Sequence, residues 1–141
     1  MVSAGADALR DAPCPCFSGD RFDRCCGPVI AGAAAPTAER LMRSRYTAFA
    51  LGRADHLLAS WHPSTRPRSM ELEDDVEWRR LVIVDTERGG PFDRDGVVEF
   101  EAHWRTAGAR GILHERSRFV REDRRWLYVD GDVAPAAKLG M

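Results

Sequence analysis

Four cysteines, Cys14, Cys16, Cys25 and Cys26, occupy 13 consecutive positions, and no other cysteine occurs in the 141-residue chain. Their pattern is C-x-C-x8-C-C. A disulfide framework staples elements spread along a chain and needs an oxidising compartment. This cluster is confined to one turn. Four soft thiolates gathered there suit one tetrahedral zinc ion, each pair supplying half of the tetrahedron. The loop Phe17 to Arg24 closes the halves together. Ser18-Gly19-Asp20 is a turn sequence, and Gly19 is free to take a positive φ. Gly27-Pro28 is expected to end the unit. Arg21 and Arg24 offset part of the double negative charge of a four-thiolate centre. Full closure leaves no position for a substrate water, so the expected zinc is structural. A redox-active pair at Cys25-Cys26 and unligated thiols are the competing readings.

A second candidate constellation lies downstream. Gly111 to Arg121 reads as a strand. Period-2 geometry places Ile112, His114, Arg116, Arg118 and Val120 on one face and Leu113, Glu115, Ser117 and Phe119 on the other. The second face mixes apolar and polar groups, as a partly polar pocket wall does. A carboxylate set in such a wall suits general-base chemistry. Glu115 is the candidate, with His62, Trp61, Arg45 and Tyr46 able to meet it from the helices. The competing structural reading pairs Glu115 with Arg43 or Arg45. His62 precedes a proline and also reads as a loop anchor. His103 shares a face with Glu99 and Glu101, which reads as solvated. His114 is expected to be exposed or partly so, and the four tryptophans are expected mainly in the core.

The elements that position these residues follow from caps and periodicity. Residues 1–12 read as a loose tail, 13–28 as the hook and 29–36 as a small-residue connector. Thr37 is a plausible N-cap and Glu39 suits a first turn. The helix runs to about Leu51 and stops at Gly52. Met42, Tyr46 and Phe49 form its apolar stripe, with Arg45 beside it. A second helix, about Ala54 to Trp61, turns Leu57, Leu58 and Trp61 inward, and Pro63 closes it. A Pro/Ser/Arg loop and an acidic stretch fill 63–75. Strands are expected at Glu77 to Arg88, Gly96 to Thr106, Gly111 to Arg121 and Arg125 to Asp130, with Glu122-Asp123 turning the last hairpin. Two helices followed by a run of strands make an α+β fold, helices packed on a curved antiparallel sheet.

Residues 13–19 (Pro-Cys-Pro-Cys-Phe-Ser-Gly) with Arg24-Cys25-Cys26-Gly27 resemble a SEC-C motif, the zinc hook at the C-terminus of the SecA translocation ATPase. Leu41 to Phe49, Trp61-His62-Pro63-Ser64, Glu115 to Phe119 and Trp126 to Gly131 resemble the YchJ family of bacterial proteins. The likeness covers roughly 13 to 132. It implies a nuclear-transport-factor-2-like cone with an internal pocket over 36–132, and a tail at 133–141. Phe17 stands where the motif usually has glycine. The span between the cysteine pairs is neutral where the motif is usually rich in lysine. Some relatives carry a second hook at the C-terminus, and none is present here, so a bivalent mode is not expected.

Net charge is −1 and the pI is near 6.4, which excludes a generally basic nucleic-acid coat and a polybasic membrane binder. Residues 105–125 hold seven arginines against three acids, and the expected reading is a solvated strand face. No apolar run approaches the ~18 residues of a membrane span. The N-terminus has neither a basic start nor an apolar core, so a cytoplasmic soluble protein is expected. The resemblance implies an adaptor that docks a protein partner through the zinc hook, as SecA's hook docks the SecB chaperone, with a small ligand or peptide in the cone pocket. Nucleic acid and membrane are not expected as partners. The alternative is a small enzyme of isomerase, dehydratase or hydrolase type, moving protons with Glu115 and His62.

Overall fold

A computed structural model describes residues 9–134, and the outer parts of both expected tails lie beyond them. Residues 9–12 are tied to the hook. Phe22 N donates to Ala12 O at 2.9 Å, and Leu9 packs against the core. A 3-10 turn over Phe22–Arg24 leads into helix α1, Cys26–Ile30. Gly27-Pro28 was expected to end the unit, but both residues lie inside α1. Proline is tolerated there because the first helical turn has no carbonyl for its missing N–H to meet. Gly27 is needed for closeness: a Cβ would sit 2.8 Å from the Phe22 carbonyl oxygen. The connector is therefore partly helical, and Val29 and Ile30 are buried.

Helix α2, Ala38–Leu51, is the centre of the molecule. The Thr37 hydroxyl accepts from Arg40 N at 3.1 Å, and Gly52 closes the helix at φ 74. Helix α3, Ala54–Ala59, is shorter than the periodicity suggested. It buries His56 and Leu57, while Leu58 is half-buried. Four strands follow: β1 Glu77–Arg88, β2 Asp95–Arg105, β3 Arg110–Glu122 and β4 Arg125–Val133. They form one antiparallel meander in sequence order. The last hairpin turns on Asp123-Arg124, one residue later than expected, with φ of 51 and 67. Positive φ at both central residues suits the right-handed twist of the flanking strands.

Register shifts at Trp78/Arg80, Ile83/Asp85 and Arg118/Phe119 bend the sheet. Its concave face carries Val98, Phe100, Ala102 and Phe119 and packs on α2. The segment after α3 pairs with β4: Tyr128 N donates to Ser60 O and His62 N to Tyr128 O, both at 2.8 Å. That contact covers an edge that would otherwise stay unpaired. A single buried cluster runs from the four cysteines through Phe22, Val29, Ile30, Leu41 and Met42 to Phe100, Phe119 and Trp126. Hook and cone share one core.

Across the convex face the local arginine excess is cancelled by acids from neighbouring strands. Arg116 bonds Asp85 at 3.2 Å, Glu99 at 2.8 Å and also Glu87. Arg118 bonds Asp130 at 2.6 Å and Asp132 at 2.9 Å, and Arg105 bonds Glu77 at 3.0 Å. His114 is partly exposed, as expected, with Nε2 2.6 Å from Glu99. His103 lies beside Glu101 on the same face.

His56 has no counterpart among the expected core residues. The Ser44 hydroxyl donates to Leu41 O at 2.7 Å and lies 2.9 Å from His56 Nε2. Burial, and then the nearby Arg45 charge, lowers the imidazole from 6.5 to about 4. The unfolded chain takes up a proton below about pH 6.5, and the folded chain does not until about pH 4. The His56 contribution is therefore complete above pH 6.5. It falls as pH drops toward 4, by about 3 kcal/mol in all. Denaturant unfolding of wild type and His56→Gln should give stability curves that diverge through this window. Parallel curves would contradict the assignment.

Candidate functional site

The four Sγ atoms lie within 4.8 Å of one another, and all four residues are buried. Cys16 and Cys25 sulfurs are 3.5 Å apart, and Cys25 and Cys26 3.9 Å. A tetrahedron with metal–sulfur bonds of ~2.3 Å has edges of ~3.8 Å, so the spacing fits a single ion. The electrostatics agree. The Cys16 thiol is held far below its ordinary value by hydrogen bonds from Cys14 and Cys26. The same sharing, through Cys14 and then Cys16, pushes Cys26 far up. Without a cation the cluster stabilises one thiolate at the expense of its neighbours. Four thiolates together need a positive ion among them.

Side chains around the sulfurs complete the arrangement. Thr47 of α2 donates to Cys26 Sγ at 3.3 Å, and Ser18 Oγ lies 3.1 Å from Cys25 Sγ. Arg43 Nη1 donates to Cys16 O at 2.8 Å and sits 3.9 Å from its sulfur. Such outer contacts orient ligands and balance their charge. Of Arg21 and Arg24, the cations expected to do this, Arg21 is engaged elsewhere. Arg21 pairs with Asp11 and Asp23. Phe17, in the position usual for glycine, has φ 64 and is 54% exposed. A left-handed conformation costs a residue with a Cβ roughly 1–2 kcal/mol.

The opposite side of α2 roofs a cavity of about 250 Å³. Its apolar wall includes Met42, Phe49, Trp78, Phe100, Leu113 and Phe119, and its polar groups are Arg45, Tyr46, Trp61, Glu115, Ser117 and Tyr128. Glu115 Oε2 accepts from Ser117 Oγ at 2.8 Å and from Tyr128 Oη at 2.9 Å. The expected ion pair of Glu115 with Arg43 or Arg45 does not form among the described residues. Arg43 turns to the hook and also bonds Glu39, one turn back on α2. Arg45 Nη1 donates to Leu57 O at 2.8 Å and Ser60 Oγ at 2.7 Å. Its guanidinium lies over the Tyr128 and Trp61 rings, 4.4 and 5.0 Å from their centroids. Burial lowers Arg45 from 12.5 to about 10, which leaves it charged at neutral pH. Burial, reinforced by Glu115, pushes Tyr128 up and keeps it a donor.

Five of the six pocket candidates meet here: Arg45, Tyr46, Trp61, Glu115 and Ser117. His62 does not line the cavity. Its backbone is pinned to β4, so it points away from the side taken by Trp61. Its ring lies between Ser64 (2.7 Å) and Glu122 (3.0 Å). The residue missed by sequence reasoning is Tyr128. Its signal was its place two positions from Trp126, on the same face of β4. Gly131 matters for a related reason. A Cβ there would lie 2.1 Å from Glu115 Oε2, so the bare backbone makes room for the carboxylate.

A curved antiparallel sheet roofed by helices, with a four-cysteine hook fused into its core, defines an NTF2-like protein carrying a SEC-C motif. The chain belongs to the YchJ, or UPF0225, family. The family's middle NTF2-like domain matches residues 37–131. A UPF0225 protein of Streptomyces coelicolor is 50% identical over 121 residues, covering 85% of this chain and 94% of the relative. One from Chromobacterium violaceum is 50% identical over 128 residues, covering 87% and 94%. The solution structure of a SEC-C motif containing protein from Rhodopseudomonas palustris superposes with a TM-score of 0.72 at 30% identity, covering 84% of this chain and 95% of that one. The crystal structure of a SEC-C motif containing protein from Psychrobacter arcticus gives 0.72 at 24% identity, covering 90% and 85%, and shares the fold. Among the described residues no helix is long and apolar enough to cross a membrane.

Gly131→Ala should displace the Glu115 carboxylate from Tyr128 and cost about 1–3 kcal/mol, because the side chain can swing aside but leaves the Tyr128 and Ser117 hydroxyls without their acceptor. Tyrosine ring NMR shifts and denaturant unfolding check both parts. A loss of several kcal/mol with Tyr128 unperturbed would show that the backbone yields instead.

Proposed function

We propose that this chain is a zinc-stapled binding module whose cone cavity takes a small ligand. The observation that carries this reading is the position of α2. One side of the helix supplies Thr47 and Arg43 to the cysteine cluster, and the other supplies Met42, Arg45, Tyr46 and Phe49 to the cavity. Cys14, Cys16, Cys25 and Cys26 would hold one zinc ion. The ion supplies charge compensation and a cross-link, with no vacant position for a reacting water. Held this way, the hook acts on the cone from inside. The cavity carries the binding chemistry, with Glu115 Oε1 as acceptor and Arg45 as donor.

Metal analysis of untagged protein should give one zinc per chain. Cys25→Ser/Cys26→Ser, or a strong chelator, should remove it and lower the unfolding temperature of the whole domain in a single transition. A cone that keeps its wild-type unfolding temperature without metal would overturn the stapled reading.

Exposure of Phe17 supports a second role for the same module, docking of a protein partner through the hook's rim. Phe17 also holds a strained left-handed conformation at φ 64. Phe17→Gly should raise stability by about 1 kcal/mol by relieving that strain. It should also abolish partner capture from a bacterial lysate if the rim docks. Unchanged capture would remove the adaptor role and leave the cavity reading untouched.

A further inference from the structure

The cavity holds a buried cation, Arg45, and a half-buried anion, Glu115, that do not touch. Tyr128 stands between them, its ring under Arg45 and its hydroxyl on Glu115. Both hydrogen bonds of Arg45 leave from Nη1, so Nε and Nη2 reach no protein acceptor among the described residues. Both hydroxyls on Glu115 address Oε2, so Oε1 accepts nothing. Two further donors are idle. Trp61 Nε1 and Tyr46 Oη are sealed from solvent without a partner. The Tyr46 hydroxyl approaches the Arg80 backbone at the β1 bulge, but its geometry falls short of a hydrogen bond. Tyr46 itself is 3% exposed. Sealed as they are, Trp61 Nε1 and Tyr46 Oη do not open on the cavity, and the groups that do are the Arg45 guanidinium and Glu115 Oε1. A donor and an acceptor facing one cavity without protein partners point to a molecule that pairs with both.

The charges decide its class. A carboxylate or phosphate entering beside Arg45 meets the Glu115 carboxylate in a low-dielectric space, and an ammonium entering beside Glu115 meets Arg45. A pure hydrocarbon leaves every idle group unpaired. A neutral group that accepts and donates through adjacent atoms answers both charges at once. The remaining wall is aromatic and aliphatic, which suits a flat ring. Size sets the upper bound. A cavity of about 150 Å³ takes benzene, so one of about 250 Å³ has room for a fused pair of rings.

We infer that the cone cavity binds a neutral planar ring system bearing an adjacent N–H donor and carbonyl acceptor, the edge of a lactam or cyclic amide. The carbonyl faces Arg45 and the N–H faces Glu115 Oε1. This inference rests on the ligand-binding reading of the cavity and adds the ligand's chemistry.

Four probes of one shape test it: 2-quinolinone, naphthalene, 2-naphthoate and 2-naphthylmethylammonium. Each is titrated into the metal-loaded full chain at pH 7 and followed by amide NMR shifts. The lactam should bind about tenfold or more tighter than each of the others, as differential pairing of buried polar groups requires. Glu115→Gln keeps the shape and removes the anion, so 2-naphthoate should gain about tenfold or more. Gly131→Ala, which moves the carboxylate and keeps its charge, should weaken the lactam. Tightest binding by 2-naphthoate or by the ammonium in the wild type would overturn the neutral-edge inference and leave the binding cavity standing. Equal binding of naphthalene and the lactam would also overturn it. No shift with any probe, in protein whose unfolding is unperturbed, would overturn the cavity reading itself.

Discussion

Helix α2 is enclosed on nearly every side, so the polar groups it carries must find partners inside the protein. Ala38, Leu41, Met42, Ser44, Arg45, Tyr46, Thr47 and Ala48 are all buried. Toward the hook, Thr47 meets a cysteine sulfur and Arg43 a cysteine carbonyl. Toward α3, Ser44 meets His56 and Arg45 meets Leu57 O and Ser60. Each contact fixes a neighbouring segment by a directional bond as well as by packing, and a broken one leaves a desolvated group behind. The hook, the short helix and the covered edge of β4 are therefore tied to one element. Tyr46 Oη is the member of the set left without a bond, and it lies against the Arg80 backbone.

Much of this was legible in the sequence, for identifiable reasons. The cysteines announce themselves by type and spacing. Thr37 and Gly52 bound α2 through local backbone chemistry, and β2 alternates cleanly because one face is buried and the other is wet. Local signals misled where tertiary contact overrode them. Gly27-Pro28 reads as a break, yet a first helical turn accepts proline, and the packing against Phe22 requires glycine. His56 gave no sign because its reason for being buried, Ser44, lies on another helix. Glu115 was found by strand periodicity, but its partners were misassigned. Strand periodicity already sets Ser117 beside the carboxylate, but the sheet register brings Tyr128 to it, and that register comes from pairings across the chain.

The arginine-rich stretch shows the same limit in electrostatic form. Counting charges along 105–125 gives a basic segment, but a strand's neighbours in a meander come from other segments. β3 lies between β2 and β4, and their acids, with those of β1, meet Arg105, Arg116 and Arg118. Exposed pairs of this kind add little stability each. Their effect is on the surface field, which is mixed in sign where the linear sequence suggests a patch. A convex face of this composition offers no strong lure for a polyanion. That leaves the concave side as the place where unpaired donors and acceptors gather.

The hook and the cavity then belong to a single thermodynamic problem. A metal ion bound in the folded hook would favour the conformation of α2 in which Thr47 and Arg43 face the sulfurs. A ligand that binds the cavity favours the conformation in which Arg45 and Tyr46 face inward. Both conditions describe the same helix orientation, since residues 43 and 47 sit on one side of the helix and 42, 45, 46 and 49 around the other. Two ligands that each bind only the native arrangement stabilise it by mass action. Linkage requires that whatever one contributes to ordering the helix, the other need not supply. A small domain with a hollow core has less apolar packing to hold its roof in place. A metal cross-link behind the roof helix would make up that deficit without filling the cavity.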